Sequence, residues 1–184
     1  MVRIIGGDYR GKKLLYLQDP SIRPTMDRVK ESMFNLINYH FPQNIRQKNI
    51  LDAFAGCGSL GIESLSRGAN KCVFVDTNPR ALANIRDNLN QVNLLGKSVL
   101  IKGKSEILNF QNLTLKFSLI LLDPPYETNL LEVTINNLLK QDIFAAECII
   151  VTESSLEGSQ KELTLYLTKT LSYKILKIYK LPVN

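Results

Sequence analysis

Apolar and polar positions fall along this chain in blocks whose period changes. The runs Asn49-Ile-Leu-Asp-Ala-Phe54, Lys71-Cys-Val-Phe-Val-Asp76 and Phe117-Ser-Leu-Ile-Leu-Leu122 are short, mostly apolar and bounded by turn residues. They predict strands over 49–54, 71–76 and 117–122, with two more over 98–102 and 147–152. The nearly unbroken apolar character of 117–122 suits a parallel strand covered on both faces. Between these runs the period lengthens. Leu60, Ile62 and Leu65 predict a helix over 59–67 that Gly68 stops. Leu82, Ile85, Leu89 and Val92 line one face of a helix opened by Thr77 or Asn78, with Pro79 in its first turn. Leu131, Ile135 and Leu138 mark a helix over 130–140, and Val29, Met33 and Leu36 one over 26–39 that ends before Pro42. A short helical piece is expected over 105–109. The segments 163–170 and 172–181 alternate Leu, Tyr and Ile with Lys and Thr, as an antiparallel hairpin does.

Strands alternating with helices predict an α/β fold: a doubly wound, mostly parallel sheet with right-handed crossovers, closed at one edge by the antiparallel hairpin. Residues 1–22 differ from the rest. Gly6, Gly7, Gly11 and several basic residues predict a small hairpin extension there, with the main domain over 23–184.

Composition narrows the function classes. A chain of 184 residues with 45% hydrophobic and 22% charged residues is an ordinary globular domain, neither disordered nor disulfide-stapled. No apolar run reaches the ~20 residues that cross a bilayer, so no membrane association is expected. The first residues lack a signal core, and a cytoplasmic protein is expected. Cys57, Cys72 and Cys148 are scattered and His40 is the single histidine, so neither a metal site nor a histidine triad is expected. The net charge is +6, and residues 1–48 hold nine basic groups against four acidic ones. Such a concentration suits a polyanionic partner, or simply a solvated face.

Two loops carry chemistry. Asp52-Ala-Phe-Ala-Gly56-Cys-Gly58-Ser-Leu-Gly61 joins the first core strand to a helix. Its glycines let the backbone pass close to a ligand, the helix start offers free N–H groups, and the spacing fits the dinucleotide fingerprint. Asp76 lies 20 residues beyond Gly56 at the end of the next strand, where a carboxylate can accept from both hydroxyls of a ribose. Together they indicate an adenosine-containing cofactor. The second loop, Asp123-Pro-Pro-Tyr126, follows the strand over 117–122, where ligands sit in such sheets. An exocyclic base amine is a poor nucleophile because its lone pair is delocalised into the ring. Hydrogen bonds to the Asp123 carboxylate and the Pro124 carbonyl favour a more tetrahedral nitrogen. Pro124 and Pro125 stiffen the backbone that aims that carbonyl, and Tyr126 offers a face for an unstacked base.

These residues resemble class I S-adenosylmethionine-dependent methyltransferases acting on amino groups. Arg3-Ile-Ile-Gly-Gly-Asp-Tyr-Arg-Gly-Lys-Lys-Leu14, Arg23-Pro-Thr-Met-Asp-Arg28 with the following Val-Lys-Glu-Ser-Met-Phe-Asn35, and Leu51 to Gly61 continuing through Ser66-Arg-Gly-Ala69 are similar to the RsmD family over nearly the whole chain. The resemblance implies a Rossmann-like fold with a seven-stranded sheet. It implies methylation of the exocyclic N2 of a guanine in 16S ribosomal RNA, within the small subunit or its assembly intermediates; a monomer is expected. S-adenosyl-L-methionine would be the donor and S-adenosylhomocysteine the product, with no metal. Asp52, Phe54, Ala55, Gly56 and Gly58 would hold the methionine end, and Asp76 with Thr77 the ribose. Asp123, Pro124, Pro125 and Tyr126 would form the amine site. Arg3, Arg10, Lys12, Lys13, Arg23 and Arg28 would meet RNA. One position departs from the family pattern: Lys104 stands where an acidic residue usually reaches the adenine, leaving Ser105, Glu106 or a backbone carbonyl for that contact.

Three other readings compete. An adenine-N6 nucleic-acid methyltransferase carries a similar reaction loop but usually adds a target-recognition region. A nicotinamide oxidoreductase shares the glycine loop and leaves Asp123 to Tyr126 unexplained. A non-catalytic RNA-binding module gives Asp123 no task.

Overall fold

Val2 and Arg3 of β1 (Val2–Arg3) pair antiparallel with Leu14 and Lys13 of β2 (Lys13–Leu14), forming a small two-stranded sheet at the start of the chain. Next come α1 (Asp27–His40), β3 (Asn49–Asp52), α2 (Ser59–Ser66), β4 (Lys71–Asp76), α3 (Pro79–Gln91) and β5 (Ser98–Lys102). The chain ends with β6 (Phe117–Leu122), α4 (Leu130–Leu139), β7 (Phe144–Ser154), β8 (Thr164–Leu171) and β9 (Lys174–Lys180). This is a computed structural model, and it describes residues 2–16, 27–43, 45–125, 129–154, 164–171 and 174–180.

The main sheet has seven strands in the order β5-β4-β3-β6-β7-β9-β8. β3 pairs in parallel with β4 on one side and with β6 on the other, so the chain reverses its direction of winding there. In an open α/β sheet such a switch point, at the carboxyl ends of the strands, is where ligands bind. The fold is therefore the Rossmann-like α/β arrangement expected from the sequence.

Alternation along the strands feeds two cores. Ile50, Phe74, Leu119 and Leu121 point toward α1, α2 and α3, together with Val2, Ile4 and Leu14 of the N-terminal sheet. Leu51, Val73, Ile120 and Leu122 point the other way, onto Ile135 and Leu138 of α4 and onto Phe110.

Several elements differ from expectation. β3 ends at Asp52 and a turn begins at Ala53, tied to the neighbouring strands by the N–H groups of Ala53 and Ala55, which donate to the carbonyls of Leu121 and Val75. The expected helix over 105–109 amounts to a turn, in which the N–H groups of Ile107 and Leu108 both donate to the Lys104 carbonyl. β7 begins at Phe144 rather than 147. Its register against β6 shifts between Phe117 and Leu119, and Glu147 takes φ 58, so the apolar pattern is interrupted at a bulge. The C-terminal hairpin closes one edge as expected, and its strand order is set by the structure. β9 lies between β7 and β8, with Leu176, Ile178 and Tyr179 buried. The polar sequence of β8, with Thr164, Thr168, Lys169 and Thr170, suits the edge position it takes.

Candidate active site

Three carboxylates gather at the carboxyl ends of three adjacent strands. Asp52 closes β3, Asp76 closes β4 and Asp123 follows β6 directly. Asp52 is 2% exposed and its Oδ2 accepts the Gly61 N–H at 2.9 Å. Burial pushes its carboxyl up to about 7, and the charges of Asp123 and Asp76 push in the same direction against the Gly61 hydrogen bond. The site thus has an excess of negative charge and leaves Asp52 at the edge of ionisation. A cationic ligand relieves both conditions.

The glycine loop orients Asp76. Gly56, at φ 52, turns its N–H onto Asp76 Oδ2 at 2.8 Å, and Asn78 N–H donates to Oδ1 at 2.7 Å. Each oxygen keeps a further acceptor site, as two vicinal hydroxyls require. Asn78 also caps α3, its side chain accepting from Arg80 N–H, while Thr77 is exposed beside it.

The remaining loop glycines serve packing. Gly58 sits at φ 76, and a Cβ there would lie 2.8 Å from Ile85 Cγ1 of α3. A Cβ on Gly61 would fall 2.2 Å from the Phe74 ring, so this glycine lets α2 settle onto β4. Phe54 is half-buried and Ala55 buried within the loop.

Ser105 is buried, and its hydroxyl donates to the Ala53 carbonyl at 2.5 Å. That bond ties the segment after β5 to the end of β3 and leaves the hydroxyl engaged inside the protein. Asn137 of α4 holds the same segment from the other side, donating to the carbonyls of Ser105 and Leu108. Lys104 is exposed and Glu106 half-buried. In the reaction loop Asp123 is half-buried, Pro124 buried and Pro125 exposed. Tyr126 lies outside the described residues, as does Arg23.

Among the basic candidates, Arg10, Lys12, Lys13 and Arg28 are exposed. Arg3 pairs with Asp27, Nε to Oδ2 at 2.9 Å, with its side chain 60% exposed. Lys30, part of the basic excess in the sequence, is fully buried and donates to the Arg3 carbonyl at 2.5 Å. Burial lowers its pKa, and Glu63 and Asp27 pull it back up. Glu63, also fully buried, accepts from Ile5 N–H and Arg67 Nε, each at 2.8 Å. The sequence reading missed Glu63, Ser66, Asn84 and Asn88, which dock the N-terminal sheet. No local pattern marks them, because the hairpin groups they hold are 57 to 73 residues away in the sequence.

The fold and its switch point are those of a Rossmann-like class I methyltransferase. A family described as "Conserved hypothetical protein 95" matches residues 2–180. The chain is 35% identical over 155 residues to Ribosomal RNA small subunit methyltransferase D of Haemophilus influenzae, covering 83% of this chain and 78% of that protein. It is 32% identical to YlbH of Bacillus subtilis, covering 97% of this chain and 98% of that one. The solved structure of yhhF from Escherichia coli superposes with a TM-score of 0.82 at 30% identity, covering 100% of this chain and 99% of that one. The chain belongs to this family, the RsmD family that its motifs resemble.

Proposed function

We propose that this protein methylates the exocyclic N2 amine of a guanine in 16S ribosomal RNA, within the small subunit or its assembly intermediates. It acts as a monomer in the cytoplasm with S-adenosyl-L-methionine as donor. The observation that carries the reading is the convergence of Asp52, Asp76 and Asp123 at the switch point. Family membership supports it, since relatives carry the name ribosomal RNA small subunit methyltransferase D.

The donor set fits this molecule. S-adenosylmethionine supplies an electrophilic methyl group on a sulfonium, with a second positive charge on its amine. Asp52 and the backbone of Phe54 to Gly58 hold the methionine end, where the local excess of negative charge suits the sulfonium and ammonium and the loop N–H groups suit the carboxylate. Asp76, its carboxylate already oriented by Gly56 and Asn78, takes the ribose hydroxyls.

The amine site follows from β6. That strand is buried along its whole length, so its end is a firm base for Asp123 and Pro124. The Asp123 carboxylate and the Pro124 carbonyl accept from the two N–H groups of the guanine amine and turn its lone pair toward the donor methyl. Tyr126 stacks on the base. The gain is alignment and electrostatics, both set before the substrate arrives. Arg10, Lys12, Lys13, Arg23 and Arg28 meet phosphates, and Arg3 adds to them from its pair with Asp27.

The test is methyl transfer from labelled donor to small subunits purified from cells lacking the enzyme, followed by mapping of the modified base. Label on a guanine N2 of 16S RNA is expected. Label on an adenine N6 would favour the adenine reading, and RNA binding without transfer would favour a binding module.

A further inference from the structure

Helix α2 is buried at all eight of its positions, which is unusual for a helix lying on one face of a sheet. One side rests on β4 through Gly61 and Phe74. The other side receives the N-terminal hairpin through directed hydrogen bonds. Ile5 N–H donates to Glu63 Oε2 at 2.8 Å, Asp8 N–H to the Ser66 carbonyl at 2.8 Å, and Tyr9 N–H to Ser66 Oγ at 3.1 Å. The Ser66 hydroxyl in turn donates to the Gly6 carbonyl at 2.6 Å. The approach is so close that a Cβ on Gly7 would lie 1.9 Å from the Ser66 carbonyl oxygen.

A second anchor holds the far end of the hairpin on α3. Leu15 N–H donates to Asn88 Oδ1 at 2.6 Å, and the Leu15 carbonyl accepts from Asn88 Nδ2 at 3.0 Å and from Asn84 Nδ2 at 3.1 Å. Ser66 is 1% exposed and Asn88 0%. Between the anchors, Ile4 N–H donates to the Lys12 carbonyl and Gly11 N–H to the Ile4 carbonyl, so the strand ends are cross-tied. Arg10, Lys12 and Lys13 project into solvent from this frame.

Apolar contacts by Val2, Ile4 and Leu14 give the hairpin adhesion but little register. The buried hydroxyl and carboxamide supply register, because a slip by one residue would strand a desolvated polar group. We infer that Ser66 and Asn88 are positioning residues for the RNA substrate: they fix the hairpin so that its basic residues stand at a set distance and angle from the amine site. This rests on the reading of that hairpin as RNA-contacting. A pre-fixed arm avoids the ordering cost of a loose one, so the benefit falls on RNA affinity and not on the chemical step.

The test compares Ser66→Ala, Asn88→Ala and the triple variant Arg10→Ala, Lys12→Ala, Lys13→Ala with the native protein. KM for small subunits, kcat, S-adenosylhomocysteine affinity and amide exchange over residues 2–16 are measured for each. Ser66→Ala should speed exchange at Tyr9, and Asn88→Ala at Leu15. Each should raise KM by about 3- to 10-fold, the loss of one or two net hydrogen bonds, with kcat and cofactor affinity unchanged. Faster exchange with an unchanged KM overturns the inference, as does unchanged exchange. If Asn88→Ala does not fold, Ser66→Ala, which removes a single oxygen, decides alone. A raised KM in the triple variant beside an unchanged KM in Ser66→Ala refutes positioning only. An unchanged KM in the triple variant refutes the RNA reading of the hairpin itself.

Discussion

Replacing Asp52 by Asn should make the protein more stable and a weaker binder of its cofactor. Asp52 is buried, and its carboxyl is raised from 3.8 to about 7, mainly by desolvation. A raised carboxyl pKa means that the folded state holds the proton more tightly than the unfolded chain. The contribution of Asp52 to stability is therefore full below pH ~4 and is lost as pH rises toward and through 7. The shift of about 3 units corresponds to at most ~4 kcal/mol lost by pH 8. Asn keeps an acceptor for the Gly61 N–H and carries no charge, so at pH 8 it should recover part of that loss. Cofactor binding should respond in the opposite sense. S-adenosylhomocysteine lacks the sulfonium but keeps the ammonium, which favours the ionised carboxylate, so its affinity should tighten between pH 6 and 8 in the native protein, with release of a proton. In the Asn variant affinity should be weaker and flat with pH. Denaturant unfolding at pH 5 and 8, with calorimetry in buffers of differing ionisation enthalpy, checks both halves. If native and variant proteins show parallel stability profiles, Asp52 does not carry the buried charge inferred for it. If the native affinity is independent of pH, Asp52 does not meet the cationic end.

Two further perturbations separate fold from site. Gly58→Val combines a left-handed backbone position with a Cβ 2.8 Å from Ile85. It should cost about 2–5 kcal/mol of stability, seen as a thermal midpoint lowered by roughly 5–15 °C; an unchanged midpoint would contradict this packing. Changing Arg10, Lys12 and Lys13 together to Ala should flatten the salt dependence of RNA binding by up to ~0.7 in slope per lost phosphate contact. An unchanged slope would return these residues to a solvated face.

The strand-and-helix alternation was legible because the central strands are short apolar runs largely buried between helices, β3 and β4 but for their ends. Phe117 to Leu122 has no exposed position for a polar residue to mark. The order of the last two strands was not legible. β8 and β9 both alternate in sequence, and the pairing of β9 with both β7 and β8, with Leu176, Ile178 and Tyr179 buried on its two faces, places it in the interior. In the site, Asp52, Asp76 and the glycine loop were found by spacing. Their separate tasks were not, since the direction of a missing Cβ at Gly58 depends on where α3 packs. Charge counting misled at Lys30, whose ammonium lies inside the protein, and partly at Arg3, which pairs with Asp27. The docking role of Glu63 and Ser66 gave no local signal: the nearby Arg67 reads as an ordinary i,i+4 partner of Glu63, and the hairpin groups they hold are nearly 60 residues away, 58 for Ile5 and 57 for Tyr9.

The central claim is that Asp123 holds the reacting amine, and single-turnover methyl transfer by Asp123→Ala tests it most directly. Losing one pre-aimed polar contact in a water-poor site should slow transfer about 100- to 1000-fold, with the fold and most cofactor affinity retained. Asp123→Asn, which keeps an acceptor of nearly the same size, should stay well above the Ala variant if the task is positioning. A folded, cofactor-bound Asp123→Ala protein that transfers methyl groups at the native single-turnover rate would contradict the account.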